Sequence, residues 1–158
     1  MSLAIRILAV VALGGLAACT VTPAPAPSVA VPVSVATVPQ AEMGQLLTRQ
    51  RAAQGQGPVV ENARLSAAAQ AHASDMVVRD YFSHTGADGS QFTQRAQAAG
   101  YGCAIAENIA FGQRSQADVV AGWMASSGHR RNILLAEARE FGIGRAGTMW
   151  VLMMGRGC

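Results

Sequence analysis

The chain's pattern predicts a mixed α+β domain built as layers of helix and sheet. Two helical-period segments, 40–54 and 62–80, open the folded region. Two near-continuous apolar runs, Glu140–Arg145 and Thr148–Met154, close it and meet at Ala146-Gly147 as strands of a hairpin do. Helices early and a hairpin late are the order of an α+β layered domain, not of a repeating βαβ array.

Each element has a local reason. The helix at 40–54 stops at Gly55-Gln56-Gly57-Pro58, a run of helix breakers. Asn62 is a suitable cap for the second helix, which reaches about Asp80. Its Leu65, Ala69, His72 and Met76 recur at spacings of 4, 3 and 4 and share one stripe. His72 on that stripe reads as a buried, hydrogen-bonded structural histidine rather than a ligand. Asp88-Gly89 marks a turn, after which Ser90 is expected to cap a short helix through Ala99, closed by Gly100. Residues 103–111 read as extended. Ser115-Gln116-Ala117-Asp118 resembles a capping box and opens a helix whose buried stripe is Val119, Val120, Trp123 and Met124. Ser126-Ser127-Gly128 is expected to end that helix, so that His129 emerges just beyond it. The apolar character of both final strands argues for a sheet covered on its two faces.

The N-terminus reads as a targeting segment. Arg6 precedes an apolar run, Ile7–Leu16, that is too short to span a bilayer. Leu16-Ala17-Ala18-Cys19 then resembles the lipobox of bacterial lipoproteins, in which the leader is removed and the cysteine lipidated. The expected organisation is a signal peptide at 1–18, a lipidated Cys19 with a Pro/Ala/Val-rich tether through 39, and one domain at 40–158. The tether carries five of the six prolines and no charge, which favours extended conformations over a core. The expected location is extracytoplasmic, on a membrane through the lipid but not across it.

Composition excludes one function class and suggests a redox setting. All twelve basic residues are Arg, scattered along the chain without interleaved aromatics, against nine acids. No nucleic-acid surface is expected from that pattern. With Cys19 assigned to lipid, Cys103 and Cys158 remain, and an oxidising compartment favours a disulfide between them over free thiols or a redox pair. A monomer is expected.

Three separated stretches carry the chemistry: Tyr81-Phe82-Ser83-His84, Glu107-Asn108-Ile109-Ala110, and Trp123 running into Gly128-His129-Arg130-Arg131-Asn132. His84 and Glu107 stand 23 positions apart, and His129 follows 22 positions later, so only the fold can unite them. With Ala71–Met76, Asp88-Gly89-Ser90, Ala99-Gly100-Tyr101, Phe141–Gly144 and Met149-Trp150-Val151, these stretches resemble the bacterial branch of the CAP superfamily. That superfamily includes cysteine-rich secretory proteins, antigen 5 and pathogenesis-related proteins. The resemblance spans about residues 42–155. It implies a three-layer α-β-α sandwich with a central antiparallel sheet, and a cleft holding two histidines and two acids. By position His84 resembles the first histidine, Glu107 the first acid and His129 the second histidine. Ser126 stands where the second acid belongs, and Ala106 where a glycine is common, so the tetrad is incomplete.

Two imidazoles and a carboxylate suit zinc or another divalent cation, with water in an open position. Their spacing matches no zinc-hydrolase motif such as His-Glu-x-x-His. Without metal the same trio forms a polar cluster around Glu107. Ser126 and Ser127 read as helix-end residues rather than nucleophiles, Asn108 and Asn132 as backbone partners, Arg130 and Arg131 as solvated, and Trp123 as a core anchor. Three functions follow. The preferred one is a lipid-anchored CAP domain whose cleft, with His84, Glu107, His129 and Ser126, binds a ligand without clear catalysis: a divalent metal, a lipid (as the resemblance implies from eukaryotic members) or a cell-wall fragment. The alternatives are a metal-dependent hydrolase or peptidase of the envelope, and a structural envelope module.

Overall fold

The elements form where capping and periodicity direct. In the computed structural model, which describes residues 40–158, helix α1 spans Gln40–Ala52 and buries Met43 and Leu47. The expected signal peptide, Cys19 and the tether lie outside the described residues. Strand β1, Val60–Glu61, leads into helix α2, Ala63–Val78. Asn62, extended at φ −119°, accepts from the Arg64 amide at 3.0 Å, as its sequence position suggested. Helix α3 covers Phe92–Ala98 and strand β2 Ala104–Phe111. Helix α4, Gln116–Ala125, opens with the Asp118 amide donating to Ser115 Oγ at 3.1 Å. Helix α5, Ser127–Ile133, is followed by strands β3, Glu140–Ala146, and β4, Met149–Gly155.

Two local expectations change. Gln91, not Ser90, caps α3, its amide donating to Gln94 Oε1 at 2.8 Å. Ser90 is occupied by the preceding turn, where its amide donates to Asp88 Oδ1 and its carbonyl accepts from Gly86. The helix ended by Ser126 is followed at once by another. Ser126 is extended (φ −95°, ψ 124°) and serves as the last cap of α4 and the first of α5. His129 therefore lies in the first turn of a helix, not beyond one. Gly128 signalled termination, but in a first turn its amide needs no intrahelical partner.

The sheet order is β1-β3-β4-β2. β4 pairs antiparallel with both β3 and β2, and β1 pairs parallel with β3 through Val60↔Glu140 and Glu61↔Phe141. The central sheet is thus antiparallel with a short parallel strand at one edge, which makes it mixed. Two residues cannot show an alternation, so β1 left no mark in the sequence.

Alternation along β4 divides the core into two layers. Trp150, Leu152 and Met154 pack with Met43, Leu47, Val120, Trp123 and Ile133 of α1, α4 and α5. Val151 and Met153 pack with Leu65, Ala69, Met76 and Ala96 of α2 and α3. Helices cover both faces, as the apolar strands implied, and the result is an α-β-α sandwich. α2 sits directly on β3: a Cβ on Gly144 would collide with the α2 backbone at Ala69 and Gln70, so that position must be glycine. Gln70 completes the join, accepting from the Arg145 amide and donating to its carbonyl, both at 3.0 Å. Arg51, fully buried, ties α1 to the end of α5 and the segment after it by donating to the carbonyls of Ile133, Leu135 and Ala138. Cys103 and Cys158 form a disulfide with Cα atoms 5.8 Å apart. Among the described residues no helix is long and apolar enough to cross a membrane.

Candidate functional site

The loop after α2 delivers His84. The chain leaves the helix through Asp80, whose φ of 52° is the left-handed conformation that turns a helix end. Tyr81 then anchors the loop, its hydroxyl donating to Asp75 Oδ2 at 2.6 Å and accepting from the Ala87 amide at 3.2 Å. From inside, His72 Nε2 donates to the Ser83 carbonyl at 2.9 Å. A carbonyl only accepts, so Nε2 carries the proton. His72 is buried, and burial foremost, followed by the nearby Arg95, holds its pKa below the usual imidazole range. It is the structural residue its stripe suggested, and it supports the segment that carries His84.

Glu107 projects from β2 and is 4% exposed. Its Oε1 accepts from His84 Nδ1 at 2.9 Å and its Oε2 from Arg95 at 2.8 Å. The same guanidinium nitrogen donates to the His84 carbonyl at 2.8 Å, so Arg95 fastens both members of the pair. Because the carboxylate accepts, His84 Nδ1 is the donor, and its Nε2 remains on a half-exposed ring.

His129 comes from the other side. Asn108, on β2, donates to the His129 carbonyl at 3.0 Å, and Asn132 donates to Asn108 Oδ1 at 2.9 Å and to the Glu107 carbonyl at 3.2 Å. These two asparagines seat α5 on β2 and act on backbone groups as expected. Burial foremost, then the His84 imidazole, lowers the pKa of His129. The asparagine bonds fix the backbone of His129 beside the Glu107-Asn108 segment. Ser126 is half-buried and its side chain makes no capping bond to α5. Trp123 is a core anchor, its indole nitrogen donating to the Ile109 carbonyl at 3.2 Å, and Arg130 and Arg131 are not buried.

Both oxygens of Glu107 are engaged, one by the His84 ring and one by the Arg95 guanidinium. Two features escaped the sequence reading. Arg95 lies on a short helix with no marker of function. Phe82 and Phe111 flank the segments bearing His84 and Glu107, and both are exposed with ring centroids 6.4 Å apart. An aromatic inside one chemistry-bearing stretch, Phe82, and another directly after a second, Phe111, were the available signal for the second feature.

Residues 45–149 match the family model described as the cysteine-rich secretory protein family, CAP. This chain belongs to the CAP family. A relative from Bacillus subtilis (strain 168), the uncharacterized protein YkwD, is 35% identical over 109 residues, which are 67% of this chain and 42% of that protein. The chain thus spans about two fifths of that CAP relative's length. Among solved structures, an extracellular protein containing a SCP domain from Bacillus anthracis has a TM-score of 0.71 at 24% identity, covering 74% of this chain and 40% of that one. An outer surface protein from Borrelia burgdorferi has a TM-score of 0.66 at 17% identity, covering 78% of this chain and 99% of that one. Both show a shared fold.

Proposed function

We propose that this CAP protein works outside the cytoplasm, held to a membrane through lipidated Cys19, and that its cleft binds a ligand without turning it over. The extracytoplasmic part is supported by the leader-like N-terminus, by the Cys103–Cys158 disulfide, and by the extracellular and surface descriptions of the relatives. One observation carries the reading of the cleft: Glu107 is consumed by His84 and Arg95. A carboxylate so paired orients His84 rather than serving as a general base, and Ser126 supplies no second acid. The exposed Phe82–Phe111 pair beside these segments favours a ligand with an apolar part, such as a lipid or a substituted cell-wall fragment.

The test is calorimetric titration of zinc, phosphatidylglycerol vesicles and solubilised cell-wall fragments into the wild type and a His84→Ala/His129→Ala variant, with a peptide-hydrolysis assay alongside. Saturable binding of lipid or cell-wall fragments, lost in the variant and unaccompanied by hydrolysis, is expected. If none of these probes binds, the reading fails. A second reading, hydrolysis by the envelope protein, draws on the His84–Glu107 hydrogen bond, since a carboxylate-held imidazole is a general-base arrangement. Hydrolysis abolished in the double variant would install it in place of the first.

A further inference from the structure

One end of the sandwich gathers most of the large apolar side chains that the fold leaves exposed. Phe111 ends β2 opposite Met149, the first residue of β4, and Ala146 ends β3 opposite that same residue. The Gly112 amide donates to the Thr148 carbonyl at 3.0 Å, so the exit of β2 lies against the β3–β4 turn. The end of α2 stands there too, with Val77 Cγ2 4.0 Å from where a Cβ on Gly147 would lie. Among the described residues the exposed large apolar side chains are Val60, Val78, Phe82 and Phe111. Val78, Phe82 and Phe111 belong to this end, at 68%, 51% and 60% exposure, and the two phenylalanine rings face each other. Val60 pairs with Glu140 where β3 begins, at the opposite end.

The domain's first helix starts at the same end as the phenylalanines. Glu42, in the first turn of α1, accepts from Gln116 Nε2 at 3.1 Å, and Gln116 opens α4 just after the loop that follows Phe111. Residues 20–39 therefore join the domain beside the Phe111 loop. Charge around these side chains is of both signs. Arg114 is exposed and has no acidic partner among the described residues, Arg79 is paired to Asp75, and Glu42, Asp80 and Asp118 are exposed. Protruding aromatic rings among charges of both signs fit the headgroup–acyl boundary of a bilayer better than an anionic ligand.

We propose that this end of the domain rests on the bilayer in which Cys19 is anchored, with Phe82 and Phe111 inserted at the boundary between headgroups and acyl chains. The inference rests on the lipid-anchor reading above and names the bilayer itself as the apolar partner of the phenylalanine pair. At polyproline spacing residues 20–39 would reach about 60 Å, which confines the domain near the surface at an effective concentration on the order of millimolar. Contact too weak to recruit a free domain is then enough to seat a tethered one.

The test uses the full lipidated chain in phosphatidylcholine vesicles containing brominated lipids, with Val60→Trp, Val78→Trp, Phe82→Trp and Phe111→Trp as separate fluorescent probes. The native Trp123 and Trp150 are each 1% exposed, so the introduced indole carries the quenching. Probes at 82 and 111 are expected to be quenched at least twofold more than the probe at 60, most by bromines high on the acyl chain. Quenching of the probe at 78 is expected to fall to the level seen at 60 when Phe82→Ser/Phe111→Ser is added. High salt leaves all of these values unchanged, because the insertion is apolar. Flotation with the vesicles, lost in Cys19→Ser, reports the anchor separately. A chain that floats with its probes at 82 and 111 unquenched, or quenched no more than at 60, overturns the docking and leaves the anchor standing. A chain that does not float overturns both. Quenching that needs anionic lipid or disappears in high salt overturns apolar insertion in favour of headgroup recognition. Equal quenching by a monomeric short-chain brominated lipid assigns the phenylalanines to a single bound lipid and overturns the bilayer contact.

Discussion

His72 sits between the core and the cleft, and its protonation links the two. Burial and Arg95 lower its pKa, against smaller raising influences from Glu107, the Ser83 hydrogen bond and Asp75. The unfolded imidazole titrates near about 6.5. As pH falls below that value the unfolded state takes up the proton first, and stability is lost until the lower folded pKa is reached. Above about 6.5 both states are neutral and the contribution is whole. His129, also lowered, acts in the same direction. Urea midpoints are therefore expected to fall between neutral pH and about pH 5, and to fall less in His72→Gln. An equal pH slope in both proteins would refute the assignment. His72 was legible as structural because it shares a stripe with Leu65, Ala69 and Met76. Arg95 was not: whether an arginine on a short polar helix meets solvent or a buried carboxylate depends on where that helix docks.

At the scale of elements, the junction between α4 and α5 sets the character of the cleft. One extended residue, Ser126, ends one helix and starts the next, and His129 falls three residues after that cap. A sequence pattern marks Ser126-Ser127-Gly128 as a stop and cannot show that the chain resumes a helix with a new direction. An acid at this cap would lie in the first turn beside His129, where helix amides favour negative charge. Ser126→Asp is therefore expected to raise the His129 pKa, reversing the lowering by burial and His84, and to stabilise the protein by about 0.5–1 kcal/mol. Titration of the His129 ring protons by NMR, with thermal denaturation, measures both effects. If His129 titrates as in the wild type, the acid does not reach it, and the missing carboxylate is not what distinguishes this cleft. The helices and the final hairpin were readable because each buries a periodic face. β1 was not, being defined by its pairing with β3 rather than by any pattern of its own.

Across the whole molecule, the disulfide joins Cys103, just before β2, to Cys158 over a separation of 55 positions. The loop it closes carries Glu107 and His129, while His84 and Arg95 lie outside it. The native ends are held in other ways too. The Arg156 amide donates to the Cys103 carbonyl at 3.2 Å, the Gly157 amide to the Tyr101 hydroxyl at 3.2 Å, and that hydroxyl donates to Glu140 Oε2 at 2.5 Å. With those bonds in place, and with Asn108 and Asn132 seating α5 on β2, the folded protein is expected to keep its cleft without the covalent link. Its contribution lies mainly in restricting the unfolded chain, on the order of 4 kcal/mol for a loop of this length. Cys103→Ser/Cys158→Ser is thus expected to fold, to keep the His84–Glu107 hydrogen bond, and to melt on the order of 15 °C lower. Scanning calorimetry of the variant, and of the wild type with and without reductant, reads the first effect, and the His84 Nδ1 proton resonance reads the second. A variant that melts with the wild type would show that the hydrogen-bonded C-terminus alone holds the domain closed. Loss of the His84 resonance would show instead that the covalent link shapes the cleft, and that its histidine–carboxylate pair depends on an oxidising surrounding.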